Sequence, residues 1–312
     1  MYLPYLRGKQ YELLALRELC ALPLNNHKIF PIIEPLKKGL KSIETALIAL
    51  RVLGVEMQLI VNPEHGDLKG NGNFILDFID ALRADGFDNV IPTYRISSER
   101  DFVFFQSTAQ ARGYVSSGYS LIHINQISSA AALKVFVNAT AIRFNIIQVN
   151  HVIALKRGFT NGYLSLLSDP FNKQKRNVDY ERVEDEFFSS DHQYYIQENF
   201  AAFSDYLTIG AEYVEGGMLP YAVAIHLTYV EHNSGDIWIK HFISDSNEDY
   251  SDTPGKFGEA LIKLIEFIDA KNMHTLACEQ FRDYYSRGAY PGLGVIKKLS
   301  IMHHIELIQG LI

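Results

Sequence analysis

The sequence predicts an α/β fold: a single (β/α)8 TIM-barrel-like domain with an insertion and a C-terminal helical extension. Three observations predict it. Short apolar runs recur at intervals of about 30 residues, each ends in a polar residue before a loop, and a helical pattern follows each one. The run 29–33 ends at Glu34, 57–61 at Asn62, 90–94 at Arg95 and 121–124 at Asn125. Strands that alternate with helices specify a parallel sheet with helical crossovers. The 312 residues exceed the roughly 250 of a typical barrel, which leaves room for insertions. The expected organisation is one domain over 1–312, with 170–200 as an insertion or lid and 255–312 as a C-terminal helical segment.

The elements follow in order. Residues 8–20 predict an amphipathic helix with Leu13, Leu16, Leu19 and Cys20 on one face. The first strand is placed at 29–34. Ser42 is the expected cap of the next helix, whose apolar face is Ile43, Leu47, Leu50 and Leu53, and Gly54 ends it because glycine enters the left-handed conformation cheaply. The second strand, 57–61, enters a loop of Asn62, Pro63, Glu64, His65, Gly66 and Asp67, then a helix at 73–84 stopped by Gly86. The third strand and helix are 89–95 and 98–112, and the fourth are 119–124 and 128–137. The strand-like runs 141–147 and 151–155 lie too close together for a parallel crossover. They are one bent strand, a hairpin, or a strand and a loop. A strand at 163–168 ends at Asp169.

Residues 170–200 change in texture, basic over 172–176 and acidic and aromatic over 181–191, and predict helical character. A short strand is expected at 205–209. The runs 221–230 and 237–243 flank His232, Asn233, Ser234, Gly235 and Asp236, a hairpin signature. Helical patterns at 258–270, 275–285 and 295–311, interrupted at 288–294, complete the chain.

Composition narrows the function classes. Hydrophobic residues make up 47% and charged residues 21%, as in soluble globular proteins. The 19 Phe and 18 Tyr fill a bulky core or, alternatively, supply an aromatic binding face. A net charge of −7 argues against a generally basic nucleic-acid-binding surface. The amino terminus lacks a secretory pattern, and no apolar run reaches the roughly 20 residues that span a bilayer, so a cytoplasmic location is expected. Cys20 and Cys278 have no metal-ligand spacing and are expected to be reduced and buried.

In a β/α barrel the site lies at the C-terminal ends of the strands. Those positions carry Glu34, Asn62, Arg95, Asn125 and Asp169. A carboxylate pair with an arginine combines acid–base capacity with an anion clamp. His226 alternates with small residues along its strand, so a barrel would turn it and Lys240 into the lumen. The catalytic candidates are therefore Glu34, Arg95, Asp169 and His226, with Asn62, Asn125 and Lys240 as substrate-binding candidates. The chemistry that fits is hydrolysis or phosphoryl transfer on a nucleotide-like substrate, with no cofactor specified and a divalent metal as one option. Glu64, His65 and Asp67, and separately Asp245, Glu248, Asp249 and Asp252, are of metal-ligand type. Neither group has a recognised ligand spacing, and both read as solvated loops. The basic 172–176 could contact phosphate or nucleic acid but is too short a run to carry that reading, and the glycine-rich 288–294, which could cradle an anion before a helix, lacks the P-loop Gly-Lys-Ser/Thr and is by default a loop between helices.

Several segments, Met1-Tyr2-Leu3-Pro4-Tyr5-Leu6-Arg7-Gly8-Lys9-Gln10, Pro31-Ile32-Ile33-Glu34-Pro35, Asp169-Pro170-Phe171-Asn172-Lys173, Phe203-Ser204-Asp205-Tyr206 and Lys240-His241-Phe242, resemble the phage-and-prophage beta protein family. The resemblance spans most of the chain. It implies a place among bacterial mobile elements and defence or toxin-neutralising loci, hence a role in phage–host conflict, and it carries over no catalytic residues. Two of its segments contain Glu34 and Asp169. The expected function is a component of a phage-defence or mobile-element conflict system whose mouth pocket hydrolyses a nucleotide-like or phosphorylated substrate. The alternative is a non-catalytic module that grips a co-encoded protein partner through 170–200, with Lys173, Lys175 and Arg176 at the contact.

Overall fold

The computed structural model describes residues 1–22, 24–151, 155–216 and 220–312. Eight parallel strands close a barrel. They are β1 (Tyr2–Leu6), β2 (Ile32–Ile33), β3 (Met57–Ile60), β4 (Val90–Ile96), β5 (Tyr119–His123), β6 (Ile142–Gln148), β7 (Tyr163–Ser168) and β9 (Ala202–Asp205). The helices α1 (Gln10–Leu19), α2 (Lys41–Val52), α3 (Gly72–Ala84), α4 (Glu99–Ala111), α5 (Tyr114–Ser117) and α6 (Ala130–Asn138) alternate with them. The predicted (β/α)8, TIM-barrel-like fold is the one observed.

Three expected boundaries are corrected. The first strand is Tyr2–Leu6, so the run at 29–34 is the second. Pro4 inside this five-residue stretch weakens its strand signal, because proline cannot donate to a ladder. The strand expected at 205–209 is Ala202–Asp205, and Leu207–Ile209 is a 3-10 turn. Helix α2 starts at Lys41 after Leu40, with no side-chain cap, so Ser42 lies inside it. The run 141–147 is β6, and 151–155 falls largely on 152–154, outside the described residues.

Side chains that meet across the barrel identify its interior face. Ser120 Oγ on β5 donates to Gln58 Oε1 on β3 at 2.6 Å, although β4 lies between them. Phe30, ahead of β2, meets Phe144 on β6 with centroids 5.3 Å apart. Register carries this face round the sheet. Gln58 lies opposite Ile32, and Ile32 opposite Tyr5, while Ser120 lies opposite Thr93. Since side chains alternate along a strand, Tyr5, Glu34, Asn62 and Arg95 are all in phase with the interior at the mouth. Asn125 is one residue out of phase with Ile122 and Ile124.

The chain packs as two compact units. The second comprises Leu14–Leu19, Asp169–Gln193 and Tyr206–Ile312. It holds an antiparallel sheet in the order β10 (Ala224–Val230), β11 (Ile237–Ile243), β8 (Asp185–Ser189). The helical character expected of 170–200 is corrected. The segment folds as a 3-10 turn (Asn177–Arg182), the strand β8 and a single helical turn, α7 (Asp191–Tyr194). The predicted hairpin is present as β10 and β11, but it belongs to this sheet, so His226 and Lys240 do not line the barrel lumen. The helices α8 (Thr253–Ala270), α9 (Leu276–Arg287) and α10 (Leu293–Leu311) follow, and α10 is buried on most of its faces. Lys298 on α10 is buried and bonded to Glu18 at 2.6 Å.

The acidic loop after β11 is spent on local structure. Asp252 caps α8 by accepting from the Gly255 amide at 2.9 Å, and Asp245 pairs with Lys263 at 2.6 Å. Among the described residues no group of three or more metal-ligand side chains could hold an ion, and no helix is long and apolar enough to cross a membrane.

Histidines are buried in both units. His303 bonds the Thr228 carbonyl at 2.6 Å and Thr275 Oγ1 at 2.8 Å, while His226 and His241 share a proton between Nδ1 atoms 2.8 Å apart. Burial pushes His123 and His303 down to about 4, and burial with the neighbouring His241 pushes His226 down to about 3. All lie below the ordinary 6.5, so the unfolded chain takes up protons that the folded chain rejects. Stability should be full above about pH 6.5 and fall as pH drops toward 4. Urea titrations across that window check this, and unchanged midpoints would refute it.

Candidate functional site at the barrel mouth

The mouth is organised around Glu34, only 2% exposed. Its Oε2 accepts the Tyr5 hydroxyl at 3.0 Å, and its Oε1 accepts the Glu64 amide at 2.8 Å. His65 Nδ1 lies 3.6 Å from Oε1. Both carboxylate oxygens are therefore engaged, which supplies the partners a buried carboxylate requires. The carboxylate ties β1 and β2 to the loop after β3. That loop turns at Gly66, φ +75°, where an added Cβ would stand 2.3 Å from the Leu36 carbonyl oxygen.

The pinned loop aims Glu64. Its carboxylate pairs with the guanidinium of Arg95, whose side chain is 11% exposed against 51% for Glu64. Asn62 fixes Arg95 from the backbone side, accepting its amide at 2.8 Å and donating to its carbonyl at 2.7 Å. Burial works against the charge on Arg95, but Tyr5, Glu34 and Glu64 outweigh it and hold the guanidinium protonated. Burial likewise opposes the charge on Glu64, and Arg95, with His65 and Lys69, overcomes it and holds its carboxyl below the usual range.

Beside this pair opens a cavity of about 400 Å³, lined among others by Arg95, Glu64, Lys69, Arg100, Ser97 and Phe104. It is of ligand-pocket size. The cavity lies at the start of α4, where Ser98 caps the helix and Asp101 accepts from the Ser97 amide and hydroxyl. Three cations and the carboxylates of Glu64 and Asp101 leave its wall net positive. Among the described residues Lys69 and Arg100 make no ion pair, and Arg95 Nε is buried without a hydrogen-bond partner. The wall suits an anion that a planar, permanently charged guanidinium can grip.

Of the seven residues singled out from the sequence, Glu34, Asn62 and Arg95 come together here. Glu34 stands behind the cavity rather than on its wall. Asn125 is adjacent but exposed, donating to the Ser97 carbonyl at 3.2 Å. Asp169 follows β7 and accepts the Ala211 amide at 3.1 Å within the second unit. His226 bonds His241, whose Nε2 lies 3.2 Å from Glu186, and Lys240 pairs with Glu184 at 2.7 Å. Two of the basic charges in 172–176 are paired as well, Lys173 with Glu212 and Arg176 with Asp179. The expectation of two buried cysteines is corrected for Cys20, which is half-buried; its thiol is pushed up to about 11 by burial, and burial raises the fully buried Cys278 too. Neither offers a thiolate near neutral pH.

Sequence reasoning passed over Tyr5, Lys69, Arg100 and Phe104. It set Glu64 among solvated loop residues. The available signal was register: once Tyr2–Leu6 is taken as a strand, Tyr5 falls in phase with Glu34. No known family model matches the chain, and no curated protein matches it.

Glu34→Ala should remove the acceptor of the Tyr5 hydroxyl and of the Glu64 amide and cost about 2–4 kcal/mol, with Glu34→Gln costing less because one oxygen remains to accept. Denaturant midpoints measure both, and equal stability of Glu34→Ala and the parent would contradict the role. Gly66→Ala, strained and in collision with backbone, should cost about 2 kcal/mol or more by the same measurement.

Proposed function

We propose that the protein binds a small phosphorylated, nucleotide-like anion at its barrel mouth and hydrolyses it, as a component of a bacterial phage-defence or mobile-element conflict system. The observation that carries the binding is the cationic cavity with the largely buried Arg95 guanidinium, paired with Glu64, on its wall. Arg95, Lys69 and Arg100 supply the attraction, and Asn62 with Glu34 supplies the fixed geometry that makes such attraction selective. Glu64 is the ionised, solvent-reached carboxylate in the cavity. It is the group placed to take the proton of a water whose oxygen bonds to the ligand's phosphorus as the phosphoester P–O bond breaks, and the departing oxygen is protonated from solvent to leave an alcohol and free phosphate. The biological setting rests on the resemblance of the quoted segments to the phage-and-prophage beta protein family.

One observation favours the other reading, a protein-binding module. Phe187, on the edge strand β8 within 170–200, is 52% exposed.

A thermal-shift titration separates the two. Ligand binding to the folded state raises the melting temperature by mass action. Phosphorylated metabolites and nucleotides should raise it for the parent and for Asn125→Ala. The rise should vanish in Arg95→Ala. Hydrolysis of the bound ligand, followed as phosphate release, should be lost in Glu64→Gln with the shift retained. Absence of any shift in the parent would remove the mouth reading in favour of the binding module.

A further inference from the structure

Phe104 shares the mouth cavity with the cations. It is half-buried and backed edge-on by Tyr94, with centroids 6.1 Å apart and planes at 61°. Its seat depends on Gly72 at the start of α3, where an added Cβ would lie 2.6 Å from Phe104 Cζ and 2.9 Å from the Val61 carbonyl oxygen. The ring therefore occupies space that any other residue at 72 would take.

Phe104 and Arg100 are four residues apart on α4, so they are neighbours on one helix face. A ligand lying along that face meets a cation at one end and an aromatic wall at the other. Inorganic phosphate would use only the first and fill little of about 400 Å³. The remaining polar groups nearby are committed to the protein itself: Asn62 to the Arg95 backbone, Ser97 and Ser98 to Asp101. That leaves a planar ring to be held by stacking rather than by hydrogen-bond readout, an arrangement that accepts any base.

Building on the anion-binding reading above, we propose that the mouth takes a nucleoside monophosphate, with its phosphate on Arg95, Lys69 and Arg100 and its base stacked on Phe104. The net excess of one cation on the wall suits a single phosphate better than a polyphosphate.

Calorimetric titration of the full chain with AMP, CMP, ribose 5-phosphate and inorganic phosphate tests this. Both nucleotides should bind at least about ten-fold more tightly than ribose 5-phosphate, the scale of a base stacked on an aromatic ring. Phe104→Leu, which keeps an apolar side chain against Tyr94 but no π face, should erase that advantage and leave ribose 5-phosphate affinity unchanged. Phe104→Trp should restore it. Equal binding of AMP and ribose 5-phosphate to the parent would overturn the nucleoside assignment and leave the anion site standing. An equal loss for both ligands in Phe104→Leu would also overturn it, since the ring would then act only through the fold. No binding of any of the four would overturn the anion site and this inference together.

Discussion

The interaction on which the barrel depends is the double pairing of β1. This five-residue strand is hydrogen-bonded in parallel to β2 on one side and to β9 on the other. Its partners are separated by about 170 residues of chain, so the two ends of the barrel sequence meet only through it. Closure removes both sheet edges, which in an open sheet would present unpaired backbone groups. It also fixes the phase of alternation for every strand at once, because register passes from β1 through Ile32 to Gln58 and onward.

That phase is what makes the mouth. Tyr5, Glu34, Asn62 and Arg95 come from four consecutive strands or their ends and face the interior together. A slip of one residue on any strand would turn its contribution outward into the helical layer. Glu34 converts shared phase into rigidity. A buried carboxylate is costly unless its oxygens are satisfied, and here they are satisfied by the two elements that must be held, Tyr5 on β1 and the backbone after β3. The same economy leaves Glu34 little freedom to touch a ligand. The chemistry passes to Glu64 and Arg95, which it positions.

Much of the architecture was legible in the sequence. The beat of apolar runs and amphipathic helices located β2 to β5, β7 and the hairpin to within a few residues, because burial on both faces makes parallel strands continuous apolar runs. β1 escaped because a proline stands in the middle of only five residues, and β8 because Asp185 and Glu186 are poor strand formers. His226 and Lys240 were misplaced for a related reason. Alternation shows that a strand has two faces but not which sheet it joins, and a hairpin satisfies its own pairing locally without entering the barrel.

By itself the sequence determined the fold class, the order of most elements, and the fact that Glu34, Asn62 and Arg95 end strands on the functional side of a barrel. These follow from local periodicity and from the universal polarity of β/α units. Tertiary structure alone decided that Asp169, His226 and Lys240 belong to the second compact unit and bond partners there, that Glu64 lines the cavity while Glu34 braces its loop, and that Phe104 and Arg100 share its wall. Each of these depends on register and on loop closure that bring segments far apart in the chain to one place, as Glu64 of one loop and Arg100 of a later helix line one cavity, and local periodicity carries no record of that meeting.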